Sequence, residues 1–297
     1  MQFRILVGVA LAVGVAPPAA ALDGFAVYQA ARPHLVQVVG VSAEGRYHVG
    51  SGVALPNGTV VTNCHVTLRA KRVQLFLGGG EDASLQSAAV AHDLCALYFP
   101  DLKRAGATLG ATRELRVGDT VLAVGFNAGK GLTYQPGEVT ELYELDGGRV
   151  VRTSAAFTHG ASGGGLFDEH GRLVGILTFF RVTKDKTDYF AVPVEWLAAL
   201  DALPAQPISP LTGVPFWADQ VGRQPAFLRA GALEADGRWD ELAALARDWT
   251  DAAPHDGNAW LALGKAATQL GQGSLADDAF RRAAELGAAQ PARMQSR

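Results

Sequence analysis

Three short segments of this 297-residue chain carry side chains suited to act together. Asn63-Cys64-His65-Val66 closes an apolar run on an imidazole. His92-Asp93-Leu94-Cys95-Ala96-Leu97 opens another on a carboxylate, and Gly160-Ala161-Ser162-Gly163-Gly164-Gly165 sets a hydroxyl among glycines. A serine hydroxyl is a weak nucleophile until an imidazole is placed to take its proton. A buried carboxylate fixes the tautomer that leaves the other ring nitrogen free for that task. The oxyanion formed on attack needs preorganised donors, and a tight turn can aim the amides of Gly160 and Ser162 at one point. The candidate reactive set is therefore His65, Asp93 and Ser162, with Gly160 and Ser162 as backbone donors. His92 reads as a strand-edge residue and His159 as a surface residue beside the serine loop. His34, His48, His170 and His255 have no ligand-like spacing, so neither a metal nor a cofactor is expected.

Short strands must hold these segments. Leu35 to Val39, Gly52 to Leu55, Thr59 to Thr62, Val73 to Leu77, Val90 to Phe99, Val121 to Gly125, Gly137 to Leu145, Val150 to Ala155, Arg172 to Phe180 and Tyr189 to Val194 are apolar or β-branched runs. Turn signals such as Pro56-Asn57-Gly58 separate them. So many strands without interleaved helices predict a mainly β sandwich or barrel over residues 22–203. Prolines 204, 207, 210 and 215 mark 204–222 as a stiff extended linker. Residues 223–297 turn rich in Ala, Leu, Arg and Asp at helical spacing. A 34-residue period pairs Gly237 with Gly271 and Leu242 with Ala276, and the unit from Trp260 closely resembles a tetratricopeptide repeat. Small residues at 264 and 276 would let its helices approach. Two repeats are fewer than such arrays need alone, so this domain is expected to pack on the β domain or on a second copy.

Residues 1–21 read as a cleaved secretory signal: a basic start at Arg4, an apolar run from Ile5 to Val15, then Pro17-Pro18 and Ala19-Ala20-Ala21. That run is too short to span about 30 Å of hydrocarbon, so no stable membrane insertion is expected after cleavage. The net charge of −3 gives no footprint for nucleic acid.

Gly160-Ala161-Ser162-Gly163-Gly164 also fits the serine elbow of α/β-hydrolases. That fold needs a helix after the serine and its Asp and His later in the chain; here glycines and a hairpin follow, and only His170 and His255 lie downstream. The order His, Asp, Ser resembles instead the chymotrypsin-like serine proteases, and most closely their bacterial Deg/HtrA-type periplasmic branch. Val117-Gly118-Asp119-Thr120-Val121, Gly125-Phe126-Asn127, Thr153-Ser154-Ala155-Ala156 and Phe190-Ala191-Val192-Pro193 add to the likeness, which covers roughly residues 30–200. The resemblance implies a two-barrel protease domain, which the small all-α domain read from the repeats follows. It implies a serine endopeptidase acting on protein or peptide; the repeats add a possible protein partner. The helical repeats stand where that family usually has a PDZ-type domain, so ideas of peptide-sensed activation do not carry over.

Two departures matter. Ala161 occupies the place where zymogen-activated trypsin-type enzymes carry an Asp, so activation by a freed N-terminus is excluded. The strand Thr178-Phe179-Phe180, with Tyr189 and with Ala156 near the base, should line the specificity pocket. Phe180 and Tyr189 are bulky where the family often has small residues, which implies a preference for small aliphatic side chains. The same rings also fit a rival reading, a catalytically silent scaffold that recruits partners through its repeats. Cys64 precedes His65 and Cys95 follows Asp93 by two, so a hydrogen bond between imidazole and carboxylate would bring both sulfurs within disulfide reach; two buried thiols are the alternative.

Overall fold

The computed structural model describes residues 23–76, 80–100, 102–127 and 129–288. The expected secretory signal at 1–21 lies outside these residues. After helix α1 (Gly24–Ala31), the first sheet is built from β1 (Leu35–Ser42), β2 (Tyr47–Ala54), β3 (Thr59–Thr62), β4 (Ala70–Phe76), β5 (Gly80–Asp82), β6 (Leu85–Ala89) and β7 (Leu94–Tyr98), with a helical turn α2 (Cys64–Thr67) after β3. The second is a closed barrel of β8 (Thr120–Asn127), β9 (Gly131–Leu145), β10 (Gly148–Thr153), β11 (Gly165–Asp168), β12 (Leu173–Val182) and β13 (Thr187–Pro193). Helix α3 (Leu197–Asp201) leads into a two-residue strand β14 (Gln206–Pro207). That strand joins the first sheet, giving the order β14-β6-β7-β3-β2-β1-β4-β5.

The period-2 alternation of strands explains how the barrels pack. On β7, Leu97 points into the first barrel among Val36, Val38, Val60 and Leu75. Its neighbours Leu94 and Ala96 face outward, against Leu122, Val124 and Ile176 of the second barrel. Residues of the second barrel divide in the same way, with Val121, Ala123, Val174 and Leu177 inside. The seam between the barrels is thus a hydrophobic core of its own.

Four helices follow: α4 (Ala226–Ala235), α5 (Trp239–Ala252), α6 (Gly257–Gln269) and α7 (Gly273–Glu285). Gly237 and Gly271 both adopt positive φ, 66° and 71°, at equivalent turns one 34-residue period apart. At Gly264 a Cβ would meet the Phe280 ring at 2.7 Å, so glycine is what lets α6 and α7 close. The helices dock on the second barrel, where Tyr143 and Phe227 stack at 4.3 Å and the Asn258 amide donates to the Leu142 carbonyl at 2.6 Å. Among the described residues, no helix is long and apolar enough to cross a membrane.

Residues 204–222, expected as a stiff extended linker, are extended but not free. They form a strap laid on the first barrel. Gln206 pairs with Gln86, the Leu211 amide donates to the Leu68 carbonyl at 2.8 Å, and the Phe216 amide donates to the Ala91 carbonyl at 2.9 Å. Prolines keep the strap extended, and Ile208, Phe216 and Trp217 pack against the cores beneath it.

Candidate active site

His65 sits on the one-turn helix α2, not at the end of a strand, because β3 stops at Thr62. Asp93 likewise precedes β7: Val90–His92 form a 3₁₀ turn, and Asp93 leaves it at φ 58°, a left-handed conformation that side chains other than Asn and Asp avoid. This kink replaces the unbroken strand expected from Val90 and turns the carboxylate back toward α2. Asp93 Oδ1 accepts from the His65 backbone amide at 2.8 Å, and Oδ2 accepts from His65 Nδ1 at 2.6 Å. An ionised carboxylate only accepts, so Nδ1 carries the proton and Nε2 presents its lone pair. Asp93 is fully buried, while His65 keeps 28% of its side chain exposed. Cys64 and Cys95 form a disulfide with Cα atoms 5.0 Å apart, tying the two segments together.

The serine loop comes from the second barrel. Gly160 and Gly163 have φ of 95° and 86°. At Gly163 a Cβ would collide with the Ser51 carbonyl oxygen at 2.1 Å, so no other residue fits. The Gly163 amide donates to Leu177 and the Gly164 amide to Ala161, both at 2.8 Å. The amides of Gly160 and Ser162 have no acceptor among the described residues. The Ser162 hydroxyl donates to the Thr178 carbonyl at 3.4 Å, a loose contact.

Two further residues emerge from the structure. Ser51 joins the barrels: its amide donates to the Ser162 carbonyl at 2.7 Å, its hydroxyl donates to the Gly160 carbonyl at 2.8 Å, and the Phe126 amide donates to that hydroxyl at 2.8 Å. Asn63 donates to the Asp93 carbonyl at 2.9 Å and to the Thr178 hydroxyl at 3.1 Å. Asn63 lies inside a motif quoted from the sequence and Ser51 just before the Gly52–Leu55 run, but nothing in residue type announces a cross-barrel hydrogen bond.

The expected specificity residues do not assemble as a set. Phe180 and Tyr189 meet, their centroids 6.1 Å apart, and Phe157 joins them at 6.3 and 5.3 Å. Ala156 is exposed, and its buried neighbour Phe157 takes the place beside these rings because the backbone alternates there. Phe179 is turned away, stacked on Phe190 at 4.6 Å in the seam. The reason is a bulge: the β12 register with β13 shifts between Leu177 and Phe179, leaving Thr178 as the extra residue. Thr178 is buried and donates its hydroxyl to the Ile176 carbonyl at 2.8 Å. His159 lies edge-on to Phe180 at 5.3 Å.

An imidazole–carboxylate pair on the first sheet and a glycine-rich serine loop on the second barrel, tied together through Ser51, are the arrangement of the chymotrypsin-like class of fold. Residues 50–176 match the trypsin-like peptidase domain family. The chain is 31% identical over 168 residues to a probable periplasmic serine endoprotease, DegP-like, of Buchnera aphidicola, a match covering 52% of this chain and 36% of that protein. It is 34% identical over 140 residues to the periplasmic pH-dependent serine endoprotease DegQ of Escherichia coli, covering 44% of this chain and 31% of the relative. The matched part is thus about a third of the length of these relatives. Among solved structures, the HtrA-type protease AlgW with tripeptide aligns at a TM-score of 0.54 and 26% identity, over 60% of this chain and 62% of that one. The active form of the Rv3671c protease from M. tuberculosis shares the fold, with a TM-score of 0.58, 22% identity, and coverage of 69% of this chain and 99% of that one. Over residues 50–176 this chain is thus similar to trypsin-like peptidase domains, and its two barrels resemble those of Deg/HtrA-type proteases.

Proposed function

We propose that this protein is an exported serine endopeptidase that cleaves peptide bonds through an acyl-enzyme on Ser162. The observation that supports the reading is the pairing of His65 with buried Asp93, together with a serine loop, tied to the first sheet through Ser51, that leaves two amides unbonded. In the proposed cycle, Ser162 Oγ attacks the carbonyl carbon and His65 Nε2 takes its proton. The carbonyl oxygen, now an anion, accepts from the amides of Gly160 and Ser162. His65 returns the proton to the departing amine as the C–N bond breaks, leaving an ester on Ser162. Water, deprotonated by the same imidazole, then releases the acid and restores the hydroxyl. Asp93 stays ionised throughout.

Export is supported by the signal-like residues 1–21, by the disulfide, and by the periplasmic naming of the relatives. The packed rings of Phe157, Phe180 and Tyr189 favour small aliphatic side chains before the scissile bond. The docked helices leave a surface for a protein partner. The same rings and the resting bond from Ser162 to Thr178 favour the rival reading, a silent protease fold that acts as a scaffold.

A fluorophosphonate probe separates the two. The peptidase reading expects labelling of the wild type and none of Ser162→Ala. A folded wild type that resists the probe across pH 6–9 favours the scaffold.

A further inference from the structure

Asp93 accepts from one donor that belongs to neither barrel. Trp217, on the strap and well beyond the segment matched by the peptidase family, donates its indole Nε1–H to Asp93 Oδ2 at 2.9 Å. This is the oxygen that also accepts from His65 Nδ1. The indole ring stands edge-on to the imidazole at 5.6 Å and stacks on Phe179 at 5.2 Å. Phe179, the residue the bulge at Thr178 turns into the seam, thus supports the indole from the second barrel. The neighbouring Thr178 hydroxyl is directed to Ile176 and Asn63, not to the carboxylate.

The strap is fixed on both sides of this contact. Its backbone bonds to Leu68, just after the turn that bears His65, and to Ala91, just before Asp93. On the far side, Gln224 Nε2 donates to the carbonyls of Trp217 and Asp219, each at 3.0 Å, two residues before α4 begins. Phe227 of α4 in turn stacks on Tyr143 of β9. A continuous set of contacts therefore runs from the docked helices through the strap to the carboxylate.

We propose that Trp217 is a positioning residue for the His65–Asp93 pair, so that the strap and the helices anchoring it belong to the reactive machinery. The proposal rests on the serine-peptidase reading above. The indole fixes the rotation of a fully buried carboxylate and offsets part of its charge. Asp93 is the charged group in contact with His65 among the described residues. With the indole donor gone, the carboxylate holds the imidazolium more tightly and is less well oriented. Acylation then slows, and the acid limb of its pH profile moves to higher pH.

Trp217→Phe keeps a ring on Phe179 and removes only the donor. In the full-length protein, the second-order rate of fluorophosphonate labelling is expected to fall about tenfold at the pH plateau, with the acid limb displaced upward. The low-field proton resonance of the His65–Asp93 hydrogen bond should also shift. Gln224→Ala, which frees the strap without touching the indole, should move all three readouts the same way but less. If Trp217→Phe does not fold, Gln224→Ala decides. Wild-type rates, profile and resonance in the folded variants overturn the proposal, even where thermal stability falls, since that is a packing role alone. If the folded wild type does not react with the probe, the peptidase reading fails separately, and an unshifted resonance in the variants then overturns the positioning role by itself.

Discussion

The two halves of the site are held by different means. On the imidazole side, a disulfide, a short helical turn and hydrogen bonds from Asn63 and Trp217 fix His65 and Asp93. On the serine side, the loop is shaped by positive-φ glycines and backbone bonds, with Ser51 as its tie to the other barrel. The first half is braced by side chains and a covalent bond, the second by conformations that only glycine supplies. The difference suits the chemistry: the carboxylate must keep one orientation, while the serine loop must admit a substrate backbone and offer bare amides.

Four measurements would break or sharpen this contrast, the strongest first. Asp93→Asn places an amide where Oδ2 accepts from both His65 and Trp217, forcing the wrong imidazole tautomer. The labelling rate should fall about 10⁴-fold with little change in fold, and a loss under tenfold would mean that this half does not govern reactivity. Replacing Cys64 and Cys95 together by Ala opens the 64–95 loop, worth roughly 3–4 kcal/mol in chain entropy. The calorimetric midpoint should drop by roughly 6–15 °C, and labelling of the folded fraction should change by less than about threefold if Asn63 and Trp217 hold the geometry.

On the serine side, Ser51→Ala removes the donor to Gly160 and leaves the Phe126 amide without its acceptor. Labelling should slow about 10- to 100-fold, the order expected of a buried hydrogen bond that sets an oxyanion donor. An unchanged rate would show that the glycines suffice. The smallest effect lies where the helices dock. Burial pushes the carboxyls of Asp256 and Glu144 above their ordinary range, though Asn258 bonding opposes this for Asp256 and Arg149 opposes it for Glu144. A carboxyl raised in the folded state contributes stability that is full below its unfolded value, near about 4, and lost as pH rises through the folded one. Asp256→Asn keeps the helix cap on Asn258. It should flatten the decline of the thermal midpoint above pH 4 by roughly 1–3 °C, and a parallel pair of curves would locate the pH dependence elsewhere.

Much of the fold could be read from residue patterns. Apolar alternation located the strands, and the 34-residue period located the helix pairs, because both follow local periodicity that burial then uses. The His65 and Asp93 segments flank the paired strands β3 and β7, and that pairing brings imidazole and carboxylate together. The mistakes fall where geometry depends on a single irregular residue. The bulge at Thr178 turned Phe179 into the seam, and the left-handed Asp93 broke a strand that composition alone would continue. Trp217 escaped because a proline-rich stretch reads as a spacer; the adjacent aromatics Phe216 and Trp217 were the one sign that this stretch had something to bury.

Strand β14 bears on how this protein meets other chains. An open sheet invites an extended peptide to add a strand at its rim. Here one rim ends in two residues, the second a proline that cannot donate. The other ends in Gly80–Asp82, short and acidic at Glu81 and Asp82. The second barrel closes on itself and has no rim. Among the described residues, an extended peptide therefore meets only short rims on which to add a strand, a useful property for a protein proposed to cleave peptides.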